Sequence, residues 1–342
     1  MPGHSIWISS PACSLSTSGK CWVKPFAMPP IRVGISRCLL GDRVRYDGGH
    51  KRDEFLADTL SRFVEWVPVC PEVEIGMGIP REPVRLVGNP RVPKMMTVWT
   101  EVDHTRTMQR FSQRRVRELR EMDLCGYVFK QDSPSCGMER VRVFSRRGRL
   151  AQTGVGLFAR AFMRHFPLIP VEEEGRLHEP ALRDRFIERV FAYHRWQTLL
   201  RERVTRGTLE QFHARHKYQL LAHSQPHYQA LGRVVGRATR DTPRQLAARY
   251  GEQFMDALKV NATIRKHAQV LERMAASFED RLTTQEKEEL SGAIRDYGKG
   301  LIPLIVSITL IKHYARVFKI DELLNQVYLN PHPKELMLRY RV

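Results

Sequence analysis

Cys38, Cys70 and Cys136 are the residues whose type and setting could carry chemistry together. The apolar run Ile31 to Ile35 precedes Cys38, and Phe63 to Val69 runs into Cys70. Cys136 lies in the turn Ser133-Pro134-Ser135-Cys136-Gly137, after a third apolar run from Cys125 to Lys130. In an open α/β sheet the ligand crevice lies beyond the carboxyl ends of the strands, so thiols at three strand-to-loop junctions would gather at one edge. Glu72 stands two residues past Cys70, just beyond Pro71, within reach of the same pocket. Cys125 begins its strand and reads as core.

The cysteine spacings of 32 and 66 residues lack the closely paired ligands of a structural zinc knuckle. Two readings stay open from spacing alone. The thiols are separate buried cysteines, or they hold an iron–sulfur cluster on three protein ligands with one open iron, since soft thiolates suit such centres. The Gly/Pro-punctuated loop Gly76 to Pro83 would shape a pocket wall, with Arg81 or Arg91 offering a bidentate anion contact or standing as a solvated surface arginine.

The elements that must position these residues alternate strand and helix. A helix is expected over Asp53 to Phe63, and a stronger one over Thr105 to Met122, where Met108, Phe111, Val116 and Leu119 form an apolar stripe among six arginines. Residues 1–29 hold no acidic residue and no sustained periodicity, which predicts a disordered leader carrying Cys13 and Cys21, with Met28 as an alternative start. The segment Pro167 to Pro170 and an acidic turn, Glu172 to Gly175, mark a boundary near 168–176. Helical periodicity then takes over in Leu182–Arg203, Thr208–Ala222, Arg244–Leu258, Ala262–Phe278, Thr284–Tyr297 and Pro303–Phe318. The expected fold is therefore α/β: a Rossmann-like α/β/α domain with a mostly parallel sheet over 30–170, then an all-α domain over 176–342.

A chain of 342 residues with 42% apolar composition can bury more than one core. Its formal charge of +19 favours a polyanionic partner, because cations placed on phosphates release counterions. The longest uncharged apolar run, Leu301 to Ile311, is too short to span a bilayer. Sparse cysteines argue against a disulfide scaffold, so a cytoplasmic protein with reduced thiols and no membrane partner is expected. Nothing calls for an obligate protein partner. Residues 201–240 hold eight Lys or Arg against two Glu, with His213 and His216 three apart but no carboxylate or cysteine beside them. They read as a basic phosphate-binding face with Phe212, Tyr218 and Tyr228, or as core histidines.

Gly34 to Gly41 with Val44 to His50, then Val69-Cys70-Pro71-Glu72-Val73, then Ser133 to Gly137 together resemble the thiouracil desulfidase family, over roughly residues 30–165. The resemblance implies a [4Fe-4S] cluster on Cys38, Cys70 and Cys136, with the substrate's sulfur on the fourth iron. It implies a non-redox desulfuration in which Glu72 and Ser133 are the catalytic carboxylate and hydroxyl. Residues 178–341, through Arg215-His216-Lys217-Tyr218, Gly300 to Ile305, Leu310 to Tyr314 and Tyr328 to Leu336, resemble a helical domain fused to such desulfidases in some bacterial proteins.

That pairing is similar to the RNA-directed branch of the family, in which 4-thiouridine of tRNA becomes uridine. It makes tRNA the expected partner, with Arg215, His216, Lys217, Tyr218 and Lys312 as RNA-binding candidates. Free thiouracil or a thiolated nucleotide is the alternative substrate, and a cluster-bearing RNA-binding or sensor protein without turnover is the alternative class.

Overall fold

The computed structural model describes residues 30–145, 150–236 and 242–339; the leader with Cys13, Cys21 and Met28 lies outside them. In chain order the first half runs β1 (Arg32–Ser36), β2 (Glu65–Val69), α1 (Pro71–Glu74), β3 (Val84–Asn89), β4 (Val92–Thr97), α2 (Thr105–Arg120), β5 (Gly126–Phe129), β6 (Val141–Phe144), β7 (Leu150–Gly154), α3 (Leu157–His165) and β8 (Val171–Glu173). β1, β2, β5 and β8 form a four-stranded parallel sheet in the order β2-β1-β5-β8. The two inner strands are covered on both faces, which is why they read as unbroken apolar runs.

Side chains alternate across a strand, so Tyr127 and Phe129 point to one face of β5 and Gly126 and Val128 to the other. On the first face Tyr127 packs against Phe158 and Phe162 of α3, and Phe111 of α2 joins the same aromatic group. Gly34 pairs with Tyr127, whose ring lies over it; a Cβ there would stand 2.2 Å from the ring. The other face is covered by α4 (Pro180–Arg201), with Val190 and Phe186 against Gly126. The α/β/α layering is thus completed by the first helix of the second half.

The rest of that half is largely helical: α5 (Arg206–Arg215), α6 (Lys217–His223), α7 (Gln225–Gly236), α8 (Pro243–Ala257), α9 (Ile264–Ala275), α10 (Thr284–Gly298) and α11 (Leu304–Val317). One core runs from the sheet through α4 and α8, and a second gathers residues of α9, α10 and α11.

Four features differ from the sequence reading. The helix expected over Asp53–Phe63 is a short irregular turn, Phe55–Thr59, followed by a 3₁₀ turn, Leu60–Arg62. The single helix expected over Thr208–Ala222 breaks at His216, and α7 was not foreseen. A second sheet, ordered β4-β3-β6-β7, is also absent from the sequence reading, because its strands are half exposed and β3 and β4 carry Gly88 and Pro93. The acidic turn at Glu172–Glu174 is instead edge strand β8 and its exit, and all three glutamates are buried. Each carboxylate finds donors, which is what makes that burial affordable.

Candidate active site

β1 ends at Ser36, and the chain turns through Arg37–Leu40 to Gly41, with the Cys38 carbonyl accepting from Gly41 N and from Lys51 N at 3.0 Å. β2 ends at Val69, and Cys70 becomes the residue that caps α1. Pro71 occupies the first helical position, where its missing N–H costs nothing. The Cys70 N–H donates to Glu74 Oε1 at 2.9 Å.

The third cysteine rides on a loop docked onto α3, which has no side-chain cap. Its first N–H groups are satisfied by the loop instead: Leu157 donates to the Pro134 carbonyl at 3.1 Å, and Phe158 to that of Ser135 at 3.0 Å. Gly156 permits this approach, because a Cβ there would meet the Ser135 backbone at 2.6 Å.

Cys38, Cys70 and Cys136 line one cleft of about 500 Å³. Burial, and then the charge of Cys70, pushes the Cys38 thiol up to about 11 and that of Cys136 higher still. Cys70 is therefore near enough to act on both of the other thiols. Among the described residues no three His, Cys, Asp or Glu side chains converge on a single metal ion. A multi-iron cluster takes each thiolate on a different iron, so it needs thiols that surround a space rather than meet at a point. Two strand-end cysteines and one on the α3 loop, around one cleft, fit that donor set.

Glu72 Oε2 accepts from Arg81 Nε at 3.0 Å and Nη2 at 2.7 Å, while Oε1 accepts from Ser135 Oγ at 2.7 Å. Ser135 has one hydroxyl hydrogen, and Glu72 takes it, so Ser133 is the donor in the 3.0 Å contact between the two serines. Ser133 Oγ in turn accepts from the backbone N–H groups of Ser135 and Cys136, at 3.3 and 3.2 Å. The result is a directed chain from Ser133 through Ser135 to Glu72, anchored by Arg81. The anion that Arg81 binds is thus Glu72. Ser135 was not singled out, since nothing in the sequence separates the two serines of its motif.

The β8 glutamates clamp this loop. Glu174 takes the Gln131 N–H at 2.8 Å and pairs with Lys130, while Glu173 takes the Met138 N–H at 2.8 Å. Arg176 bridges Glu139 and Glu172 at 2.6 and 2.7 Å.

Residues 33–174 match the family model of 2-thiouracil desulfurase, and residues 217–333 match a protein family of unknown function, DUF1722. The uncharacterized protein YbgA of Escherichia coli (strain K12) is 30% identical over 158 residues, 46% of this chain and 94% of YbgA. The chain belongs to the family of YbgA, with a 2-thiouracil desulfurase domain at residues 33–174. The uncharacterized protein YbbK of Bacillus subtilis (strain 168) is 28% identical over 109 residues, 30% of this chain and 71% of YbbK. Among solved structures, the [4Fe-4S]-dependent thiouracil desulfidase TudS is 29% identical, with a TM-score of 0.36 over 44% of this chain and 94% of its own.

The cleft of the desulfurase domain is rich in cations. Arg37 pairs with Asp42, Arg45 with Asp47 and Lys130 with Glu174, whereas the side chains of Lys51 and Arg142 are exposed and have no partner among the described residues.

In the helical half, Arg215 is exposed and Lys217 half-buried, but His216 and Tyr218 lie in the interior. The His216 ring stacks on Phe212 at 3.9 Å, and burial pushes it down to about 3, so it is neutral. Lys217 and Tyr218 border a second cleft of about 470 Å³ with Tyr228 and Arg273. Lys312 is not part of that cleft; its ammonium donates to Asn330 Oδ1 at 2.6 Å. His213 stacks on Tyr228 and bonds the Tyr250 hydroxyl at 3.1 Å, so it does not pair with His216.

Proposed function

We propose that the chain replaces the sulfur of 4-thiouridine in tRNA by oxygen: water is consumed, uridine and hydrogen sulfide are formed, and no electrons are exchanged. The observation that carries the chemistry is the convergence of the Cys38, Cys70 and Cys136 thiols and the Glu72 chain on one cleft. Held by Cys38, Cys70 and Cys136, a [4Fe-4S] cluster with one open iron would supply a Lewis acid for the substrate's sulfur.

The chain's own groups supply the rest. Glu72 Oε1 spends one acceptor site on Ser135 and keeps capacity to take a proton from a water attacking the ring carbon. Arg81 holds the carboxylate in one orientation through a two-bond fork. Ser133, at the partly exposed end of the chain, can exchange its bond to Ser135 for one to the substrate.

RNA rather than a free base is favoured by charge. Thiouracil carries no phosphate, whereas the rim offers the exposed cations Lys51 and Arg142, and the helical half offers a basic, tyrosine-lined cleft at Lys217 and Arg273. A stacked 4-thiouridine would be flipped into the desulfurase cleft, as base-modifying enzymes do.

Anaerobically reconstituted protein should convert thiolated tRNA at a higher kcat/KM than free 4-thiouracil. A preference for the free base would reassign the substrate, and tight tRNA binding with no loss of thiouridine would make the chain a non-catalytic binding protein.

A further inference from the structure

A small pocket of about 180 Å³ lies where β8 faces α4, bordered by Glu172, Arg176, Arg185, Arg189 and Lys259. Arg185 and Arg189 are four residues apart on α4 and so share one face. Arg185 reaches only a neutral amide oxygen, Asn261 Oδ1, at 3.3 Å. Arg189 is half-buried, its Nε is buried without a partner, and its guanidinium makes no hydrogen bond or ion pair among the described residues.

The nearby carboxylates are already engaged. Glu172 is held by Arg176 at 2.7 Å and Asp256 by Lys259 at 2.7 Å. Burial pushes Arg189 below the ordinary arginine value, with the charge of Arg185 adding to it and those of Glu172 and Asp256 opposing it. Buried polar groups in folded proteins are almost always paired, so the unpartnered Nε points to a ligand. Two guanidinium groups lining one pocket match a tetrahedral oxyanion, and the space is too small for a nucleoside.

We propose that Arg185 and Arg189 form a binding site for a phosphate-type oxyanion, supplied by inorganic phosphate or by a nucleic-acid backbone. The site is separate from the desulfurase cleft and does not depend on its chemistry.

The test is thermal denaturation of the full chain in phosphate-free buffer, titrated with sodium phosphate or with sodium chloride at matched ionic strength. Phosphate should raise Tm saturably and chloride should not. The rise should persist in a Lys51→Ala/Arg142→Ala variant and vanish in Arg189→Met. Without phosphate, Arg189→Met should be at least as stable as wild type, because it removes an unpaired charge while keeping the packing of the stem. No phosphate-specific rise, or an undiminished rise in Arg189→Met, would overturn the site. A weaker affinity of Arg189→Met for a tRNA transcript would assign the site to backbone phosphate, and unchanged affinity to the free ion.

Discussion

The Ser135 hydroxyl donates to Glu72 Oε1 at 2.7 Å, although Ser135 is buried and lies 63 residues away in sequence. That one bond joins the loop carrying Cys136 to the turn carrying Cys70, and it fixes which way the hydrogens point between Ser133 and Glu72. Replacing Ser135 by alanine should lower the desulfuration kcat on the order of 10²-fold, within the range of a single acid–base contribution. Iron content and the visible absorption of the cluster should be unchanged. Loss of the cluster in this variant would show that the serine supports the ligand loop and not the carboxylate.

Arg81 is the second support of Glu72, and both side chains are nearly buried, at 5% and 12% exposure. Removing one partner of a buried pair strands the other charge, at a cost of about 3–5 kcal/mol. Arg81→Met should show this as a lower urea midpoint, with Arg81→Lys recovering only part, since lysine lacks the planar fork. Equal midpoints for Arg81→Met and wild type would mean that Glu72 finds another partner.

Much of this site can be read from sequence, and the limits have physical causes. The inner strands β1 and β5 are buried on both faces, so their apolar runs are continuous and their ends locate Cys38 and Cys136. Glu172, Glu173 and Glu174 mislead because three consecutive carboxylates ordinarily mark a solvated turn; only the tertiary fold brings Lys130 and the Met138 N–H close enough to bury Glu174 and Glu173. The break at His216 is hidden because Phe212, His216 and Leu220 keep helical spacing across it while the backbone changes direction. Ser135 is invisible for a simpler reason: its role lies in a contact with Glu72.

The rim cations make a separable prediction. Lys51→Ala and Arg142→Ala should each raise KM for thiolated RNA and leave turnover of free 4-thiouracil within about 2-fold, because the lost contact is to phosphate. In a plot of log affinity for single-stranded thiolated RNA against log salt, each substitution should reduce the slope by about 0.7. Equal losses on RNA and free base would place these side chains at the reacting base instead.

His216 predicts a pH effect on stability. Burial lowers its value in the folded state to about 3 from an ordinary 6.5, so the unfolded chain takes up a proton first as pH falls. The stabilisation is complete above the unfolded value and is lost progressively down to the folded one, at about 1.4 kcal/mol per pH unit. His216→Leu should therefore flatten the decline of the urea-derived stability between about pH 6 and pH 4.5 by about one proton's slope. An unchanged slope would mean that His216 titrates normally.

The most direct measurement is a single anaerobic turnover experiment with cluster-loaded protein and tRNA containing 4-thiouridine, in which uridine and sulfide are counted together. Wild type should give uridine and sulfide in equal amounts without an added reductant. The Cys38→Ala, Cys70→Ala and Cys136→Ala variants should each lose both the cluster and both products. Full activity in any one of those variants, or uridine formation that requires an electron donor, would contradict a non-redox desulfuration at a three-cysteine cluster site.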